Sequence, residues 1–388
     1  MPKQNATDTR PDRGKRIALS AAHGHSLVGT YMPLITRLLE SGHRVLCLAP
    51  QISEGETLSL THAGADVRQL NLVADRWTLM PERQVVQRTT SILSEWQADT
   101  VLARGSGVMP AVSLAAKKAG AARIIAVQEQ LPPEADEENG SEGDPEDSLI
   151  RAFDAATDVL CYNYDHAAQL EISGLLPEDL TPVVLPGLGV DLDQLQVAPL
   201  PPIGDELCFL MIAELALSRG VLDFCKAAEI VKEHAPQTKF QLAGPASRSH
   251  DALSLADVEP YGETVSYVGD GADTPSLIAQ CHVFVYPSHG EASPGPALQA
   301  LAMGRAIVTT DAPGCRELVD ERVNGVLCAP GDPASLAASM QRSVKWPDLI
   351  PAMARASHQK AERRYDRRLV LAALFDLLGL QRAAITEA

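Results

Sequence analysis

The chain is short of positive charge. Its 388 residues carry 33 Lys and Arg against 50 Asp and Glu, a formal net charge of -17. A chain this acidic has no general attraction for nucleic acid or for anionic lipid. We therefore expect no nucleic-acid partner and, at most, a local and peripheral contact with a membrane.

The sequence also lacks a long apolar run. No segment approaches the length of a membrane-spanning helix, and residues 1–14 are polar, without the apolar centre of a signal peptide. We expect residues 1–14 to be a flexible tail. The pattern predicts a cytoplasmic protein, with any membrane association at the inner face.

Paired cysteines are absent as well. The seven cysteines are Cys47, Cys161, Cys208, Cys225, Cys281, Cys315 and Cys328. None belongs to a Cys-x-x-Cys pair, which favours reduced packing residues over disulfides or a zinc site. We predict no metal site and no cofactor.

What the sequence does contain is a regular alternation of strand-like and helix-like segments. Short apolar runs at residues 16–21, 44–49 and 100–103 alternate with helical patterns such as residues 82–96, and the second half repeats the theme from residue 207 onward. Such alternation is typical of βαβ units with helices on both faces of a parallel sheet. The sequence therefore predicts an α/β protein with two doubly wound domains.

A change of domain is predicted where turn-forming residues concentrate. The segment LPGLGVD at residues 185–191 precedes the proline-rich residues 199–202. We predict an N-terminal domain at residues 15–188, a C-terminal domain at residues 189–350 and terminal helices at residues 351–388.

One segment breaks the alternation. Residues 132–147 (PPEADEENGSEGDPED) are acidic, contain proline and glycine, and have no aromatic residue. This composition predicts a solvated, mobile loop. It is either an ordinary excursion or a lid over a binding site of the first domain.

The most informative segment is residues 283–332. An apolar strand at residues 283–285 leads to a loop that holds Glu291, and Ser293 and Pro294 are predicted to open a helix as its N-cap and first-turn proline. This layout places free backbone N–H groups and a helix N-terminus beside a carboxylate. It suits a ligand with both phosphate and hydroxyl groups, such as a nucleotide sugar.

The same segment resembles the signature of the family 4 glycosyltransferases, which have the GT-B fold. The elements follow in the family's order: Glu291, Gln299 eight positions later, the strand IVTT at residues 307–310, PGCRE at residues 313–317 and PGD at residues 330–332. The resemblance implies two Rossmann-like domains that face a cleft. It also implies that the C-terminal helices cross back onto the first domain and that residues 189–350 bind the nucleotide sugar.

The resemblance assigns donor-side roles in this segment. Glu291 would hold the donor sugar, and Gln299, where the family usually has Glu, would bind the ribose hydroxyls. Gly295 and Ala297 would offer N–H groups to phosphate, which the neighbouring prolines cannot do. The alternatives without a role in binding are a loop-capping role for Glu291 and an exposed helical position for Gln299.

The family's diphosphate clamp of two cations is only half present. Arg219 fits the second cation and can bind phosphate in a bidentate manner. Glu214 stands where the first cation is expected. We expect that Glu214 turns away or that another cation compensates, with Arg248, Arg305 and Arg316 as candidates.

Two glycines complete the donor side of the resemblance. Gly244 and Gly269 match segments whose backbone approaches the nucleobase, because glycine allows a close approach. Turn formation alone explains these glycines almost as well.

The first domain carries the acceptor-side candidates. His23, Gly24 and His25 lie in a turn that resembles the phosphate-facing turn of GT-B enzymes, and either histidine could assist deprotonation of the acceptor. Arg104 and Glu129 stand where the family has histidines. Glu129 could act as a base and Arg104 could bind an anion, whereas the histidines could equally be ordinary loop residues.

The resemblance implies a glycosyltransferase that moves a sugar from a UDP- or GDP-linked donor, with retention of configuration and without a metal. The acceptor would be a glycan or a lipid-linked glycan of cell-surface polysaccharide assembly, such as capsule, exopolysaccharide or lipopolysaccharide. Glu214, Glu129 and Gln299 favour an alternative, a GT-B protein that has lost catalysis and acts as a binding or assembly partner. A nucleotide-sugar epimerase or hydrolase on the same fold is a third possibility.

Overall fold

The computed structural model describes residues 14–70, 82–105, 107–129, 145–204, 206–247, 249–291 and 293–380. The chain divides into two compact units. Unit 1 comprises the described residues within Met1–Cys161, Gln169–Val183 and Phe375–Ala388, and unit 2 comprises those within Tyr162–Ala168 and Val184–Leu374. The predicted tail at residues 1–14 lies outside the described residues except for its last residue.

A parallel sheet forms the centre of unit 1. Its strands are β1 (Arg16–Ser20), β2 (Arg44–Ala49), β3 (Asp66–Gln69), β4 (Thr100–Ala103), β5 (Arg123–Gln128), β6 (Asp158–Cys161) and β7 (Pro182–Val184). Their order is β3-β2-β1-β4-β5-β6-β7, and the pairs from β3 to β6 are parallel. Central strands such as β1 are apolar and buried along almost their whole length, as expected when helices cover both faces.

Helices alternate with these strands. They are α1 (Gly24–Gly29), α2 (Met32–Glu40), α3 (Glu54–His62), α4 (Glu82–Trp96), α5 (Met109–Ala119), α6 (Pro145–Ala155) and α7 (Tyr164–Ile172). The predicted acidic loop at residues 132–147 lies outside the described residues up to 144. Its last three residues are not loop but the first turn of α6. Acidic side chains at Glu146 and Asp147 suit the positive end of that helix's dipole.

A second parallel sheet forms the centre of unit 2. Its strands are β8 (Cys208–Ile212), β9 (Lys239–Ala243), β10 (Val265–Tyr267), β11 (Val283–Tyr286), β12 (Ala306–Thr310) and β13 (Gly325–Cys328). All five pairs in the order β10-β9-β8-β11-β12-β13 are parallel. The predicted α/β architecture of two Rossmann-like parallel-sheet domains is therefore confirmed.

The helices of the second half continue the alternation. They are α8 (Val221–Lys232), α9 (Leu255–Val258), α10 (Thr274–Ala279), α11 (Gly295–Ala302), α12 (Pro333–Lys345), α13 (Ile350–Lys360) and α14 (Arg367–Leu377). The described residues from Phe375 onward belong to unit 1, within which the Lys15 ammonium donates to the carbonyl of Gly379 at 2.6 Å. In the described ranges, no helix combines the length and the apolarity needed to cross a bilayer.

Strand order reverses direction at one point in each sheet. In unit 1 the chain leaves β1 first toward β2 and later resumes on its other side at β4, and in unit 2 β8 is flanked in the same way by β9 and β11. Ligands of open α/β sheets bind beyond the carboxyl ends of the strands at such a switch point. The loops that follow β1, β4, β8 and β11 are therefore where functional side chains are expected.

Candidate functional site

An ion pair joins the loops that follow β8 and β11 in unit 2. Arg219 ends the short 3-10 turn Leu217–Arg219, and its Nη1 donates to Oε2 of Glu291 at 2.6 Å. Both side chains are partly buried. The switch point thus brings together two residues that the sequence nominated separately, although it did not predict that they contact each other.

A third residue, Tyr286, was not predicted. It is the last residue of β11, its side chain is buried, and its hydroxyl donates to the same Oε2 of Glu291. Among the described residues, no hydrogen bond reaches the other carboxylate oxygen, Oε1. One oxygen of Glu291 is therefore fixed by two protein donors, and the other can accept from a ligand hydroxyl.

Burial dominates the acid–base properties of this group. It raises the pKa of Glu291 above its ordinary value, while Arg219 and the Tyr286 hydroxyl act in the opposite direction. Burial and the Glu291 carboxylate raise the pKa of Tyr286 well above 10, so the phenol remains a donor. For Arg219, burial acts to lower the pKa, but the neighbouring acidic groups outweigh it and raise the pKa overall.

Close backbone packing holds Glu291 in place. Its N–H donates to the carbonyl of Pro313 at 3.0 Å, and a Cβ on Gly314 would lie 1.7 Å from the carbonyl oxygen of Glu291. Gly314 also has φ +74°, a conformation that favours glycine. The PGCRE turn therefore supports the Glu291 loop and leaves no room for a side chain at residue 314.

Glu214 bonds to Ser247 rather than to Arg219, but its charge still acts on this group. It follows β8, it is exposed, and its Oε2 accepts from the Ser247 hydroxyl at 3.1 Å. Its charge acts on both Arg219 and Glu291 and raises the pKa of each. Arg219 thus pairs with Glu291 and lies within the field of a second carboxylate, Glu214, which disfavours an incoming anion.

Arg305 and Arg316 both have other partners, which argues against the hypothesis that either compensates for Glu214. Arg305 is fully buried, and Arg316 forms an ion pair with Asp165 at 2.7 Å and donates to the carbonyl of Asp311. The guanidinium of Arg305 donates to the carbonyls of Ala198, Pro199, Ile278, Ala279, Met303 and Gly304. Both side chains are structural, and the remaining candidate, Arg248, lies outside the described residues.

The helix after Glu291 begins later than predicted. Its N-cap is Pro294 rather than Ser293, and no side chain caps it. The Ser293 hydroxyl instead faces Gly187, where an added Cβ would come within 2.3 Å of it. Because Leu298 is the first residue whose N–H bonds back to Pro294, the N–H groups of Gly295 and Ala297 remain outside the helical hydrogen bonds.

The other donor-side candidates differ in how available they are. Gln299 is half-buried, and its side chain has no hydrogen bond within the part of the chain that the structure describes. The carbonyl of Gly244 already accepts from the Tyr267 hydroxyl at 2.9 Å, and a Cβ on this residue would clash with Ala213. Gly269 has φ +104° and faces open space. Gly244 therefore serves packing, whereas Gly269 leaves room for a ligand.

In unit 1, the loops after β4 and β5 hold a second Arg–Glu pair. Nη2 of Arg104 lies 2.5 Å from Oε1 of Glu129, and the Arg104 guanidinium lies over the ring of Tyr31 at 4.8 Å. The contact with Tyr31 combines a planar cation with an aromatic face. The structure therefore brings together two acceptor-side candidates that the sequence aligned with family histidines.

The turn after β1 holds the remaining candidates. The rings of His23 and His25 stack with their centroids 5.1 Å apart. The N–H of Gly24 donates to the carbonyl of Gln51 at 2.9 Å, so this N–H is engaged within unit 1, and the role of the turn in binding stays a prediction. Among the described residues, no group of three or more His, Cys, Asp or Glu side chains could hold a metal ion.

Comparison with known proteins identifies unit 2. Residues 206–345 match the model of the family described as Glycosyl transferases group 1. Over 117 residues, 30% of each chain, the protein is 33% identical to N,N'-diacetylbacillosaminyl-diphospho-undecaprenol alpha-1,3-N-acetylgalactosaminyltransferase of Campylobacter jejuni. Over 198 residues, 50% of this chain and 48% of the relative, it is 27% identical to glycogen synthase of Mycobacterium tuberculosis. The matches thus span half or less of these curated relatives.

Solved structures extend the likeness to the whole chain. The crystal structure of HepE from Anabaena in complex with UDP superimposes with a TM-score of 0.74 at 17% sequence identity, covering 94% of this chain and 99% of that chain. At this identity the likeness establishes the fold. The predicted resemblance is confirmed as a match: residues 206–345 match the model of the group 1 glycosyltransferases, and the chain has the GT-B fold.

Proposed function

We propose that this protein is a glycosyltransferase that transfers a sugar from a UDP-linked donor to a glycan or lipid-linked acceptor in cell-surface polysaccharide biosynthesis. The observation that carries the proposal is the Arg219–Glu291–Tyr286 group at the switch point of the unit that matches the family. HepE, a structural relative, was crystallised with UDP, and the Campylobacter relative is named for a diphospho-undecaprenol acceptor. These relatives are the reason why we propose UDP as the donor nucleotide and a lipid-linked glycan as the acceptor.

The donor would bind through both phosphate and sugar. Arg219 would contact the diphosphate, together with the N–H groups of Gly295 and Ala297, and Gln299 would bind the ribose. Because Oε2 of Glu291 is occupied, Oε1 would accept from a sugar hydroxyl. Gly269 would let the main chain approach the base.

Transfer requires the bond between the anomeric carbon and the diphosphate to break and a bond to the acceptor oxygen to form. Negative charge then develops on the departing UDP, and Arg219 with the free N–H groups would stabilise it without a metal. Glu291 would support the sugar as positive character develops at the anomeric carbon. By family resemblance, we propose that the configuration is retained.

On the acceptor side, we propose that Glu129 or His23 accepts the proton of the attacking hydroxyl. Arg104 would hold Glu129 in a fixed position, since their charged groups lie 2.5 Å apart. A carboxylate held in this way can act as a base only when the acceptor hydroxyl comes within hydrogen-bond reach. His25, stacked on His23, would contribute to the acceptor loop.

One observation favours a second function, a binding or assembly partner without catalysis. Glu214 adds a second carboxylate to a site with one described cation, Arg219. A carboxylate about 4 Å from a phosphate is repelled by about 1 kcal/mol in water and about 4 kcal/mol at an effective dielectric constant near 20. If nothing offsets this repulsion, a diphosphate would bind poorly.

Calorimetric titration of the full chain with UDP, GDP and a panel of their sugars distinguishes these functions. The assay is followed by measurement of UDP release with and without a glycan acceptor. Binding of UDP and acceptor-dependent release would support transfer. Absence of binding at millimolar ligand would contradict it in favour of the assembly function, and donor consumption without acceptor would indicate hydrolysis or epimerisation.

A further inference from the structure

A groove on unit 2, remote in sequence from Arg219 and Glu291, carries exposed apolar and cationic side chains together. We call it the Trp346 patch. Its cavity has a volume of about 390 Å³ and is lined by Arg322, Val326, Arg342, Ser343, Trp346, Leu349, Ile350 and Met353. It lies where α12 ends and the 3-10 turn Pro347–Leu349 leads into α13.

Three large apolar side chains are exposed close together in sequence around this groove. Trp346 is 48% exposed and Leu349 is 51% exposed, and Val323, next to the lining residue Arg322, is 57% exposed. Single exposed apolar residues are normal on protein surfaces, whereas several around one cavity mark an interaction site. The patch therefore has the apolar component of an interface.

Cations surround these side chains. The Arg322 and Arg342 guanidinium groups line the cavity, and the Lys345 ammonium lies over the Trp346 ring at 4.8 Å. Nearby carboxylates neutralise them only in part: Glu321 lies 3.9 Å from each arginine, and Asp348 is exposed on the turn. These three cations outnumber the two carboxylates, whereas in the whole chain 33 basic residues are outnumbered by 50 acidic ones.

The backbone at Arg322 supports a functional interpretation. Its φ is +64°, a conformation that non-glycine residues rarely adopt. In this conformation its N–H still donates to the carbonyl of Gly325 at 2.8 Å, while the side chain remains largely exposed. A strained residue thus presents a guanidinium at the edge of the groove.

We propose that the Trp346 patch docks on the surface of a bilayer that contains anionic phospholipid. A tryptophan ring is apolar with one N–H donor, which suits the boundary between lipid and water, where Leu349 and Val323 would also lie. Arg322, Arg342 and Lys345 would reach lipid phosphates while their alkyl stems remain against apolar surface. Because the chain as a whole is acidic, such docking can occur only where cations are concentrated.

The proposal does not depend on sugar transfer, and vesicle flotation of the full chain tests it. We expect the protein to float with vesicles of phosphatidylcholine mixed with phosphatidylglycerol, and to remain behind with phosphatidylcholine alone or at raised salt. Replacing Trp346 and Leu349 together by serine should weaken binding by about tenfold or more. Arg342→Gln should weaken it about fivefold.

Matched controls separate the patch from general surface effects. Leu255→Ser removes an apolar side chain that is 54% exposed on another part of unit 2. Arg37→Gln removes an arginine that is 44% exposed and lies 3.9 Å from a glutamate, nearly as Arg342 does at 45% and 3.9 Å. Both controls should leave flotation unchanged.

Three results would overturn the proposal. They are failure of the unmodified protein to float, equal flotation of the Trp346/Leu349 double variant, and equal losses in the patch variants and the controls. Sedimentation of the protein without vesicles tests whether the patch binds a second copy of this chain rather than a bilayer. A dimer that the double variant abolishes would assign the patch to a second copy of this chain instead.

Discussion

In each unit an Arg–Glu pair joins the loops that follow two neighbouring strands, and the two pairs are built differently. Arg104 and Glu129 follow neighbouring strands β4 and β5, and an aromatic ring supports the arginine. Arg219 and Glu291 follow neighbouring strands β8 and β11, and a phenol supports the carboxylate. In unit 1 the aromatic side chain contacts the cation of the pair, whereas in unit 2 it contacts the anion.

This difference suggests a division of labour. A carboxylate that is held by two donors and has one open oxygen suits recognition of sugar hydroxyls. An arginine stacked on an aromatic ring is a cation held in a fixed position, which can bind an anion or orient the glutamate that it pairs with. Only the unit 2 pair lies in the region that matches the group 1 glycosyltransferases. The proposed donor side therefore lies in the region with the family match, whereas the proposed acceptor side depends on unit 1 alone.

The largest expected effect separates the two arginines. Arg219→Ala should weaken UDP binding by roughly a hundredfold, because it removes the described cation of the site and leaves Glu291 and Glu214 unneutralised. Arg104→Ala should leave UDP binding within about twofold, and it should raise KM for the acceptor instead. Calorimetry and steady-state kinetics on both variants measure these changes.

The Arg219 comparison needs two further variants. Arg219→Lys keeps the charge and loses the planar fork, so an intermediate loss is expected. Glu291→Ala should cost less UDP affinity than Arg219→Ala, since its proposed contact is with the sugar. Equal UDP affinity for unmodified protein and Arg219→Ala would remove Arg219 from its assigned role.

A change of opposite sign is expected at Glu214. Glu214→Gln removes a carboxylate that acts on Arg219 and Glu291, and it should strengthen UDP binding by about tenfold, which is about 1.4 kcal/mol. Glu233→Gln, an exposed glutamate at the end of α8, is the control for loss of one negative charge. If Glu214→Gln binds UDP no better than Glu233→Gln, then Glu214 does not oppose the donor.

The contrast between the units also shows what the sequence could predict. Buried apolar runs identified strands such as β2 and β4 with their observed bounds, because a strand covered on both faces must be largely apolar. The edge strand β3 was missed. Its sequence DVRQ is mostly polar and its residues are partly or fully exposed, so periodicity gives no signal there.

The site was predictable in position but not in contacts. Motif spacing placed Arg219, Glu291 and Glu214 at strand ends, and the fold brings these strand ends together. The sequence could not show that Tyr286 turns its hydroxyl to Glu291, or that Arg305 is consumed by backbone carbonyls, since side-chain direction depends on packing between distant segments. Ser293 was mistaken for an N-cap because its partner, Gly187, is far away in sequence.

The smallest expected effect is at Tyr286. It tests the hydrogen bond that holds Glu291 in unit 2, rather than the Arg219–Glu291 pair itself. The Tyr286 hydroxyl donates to the carboxylate and so stabilises its ionised form, which lowers the pKa of Glu291. Tyr286→Phe keeps the ring and removes this donor, so the pKa of Glu291 should rise further. If transfer requires ionised Glu291, the acid limb of kcat/KM should move to higher pH, and kcat/KM at a fixed pH on that limb should fall about fivefold. Tyr365→Phe is the matched control, since Tyr365 is also buried and donates to a backbone carbonyl, that of Glu317. An acid limb that stays in place in Tyr286→Phe, or that moves equally in Tyr365→Phe, would mean that the phenol contributes only packing.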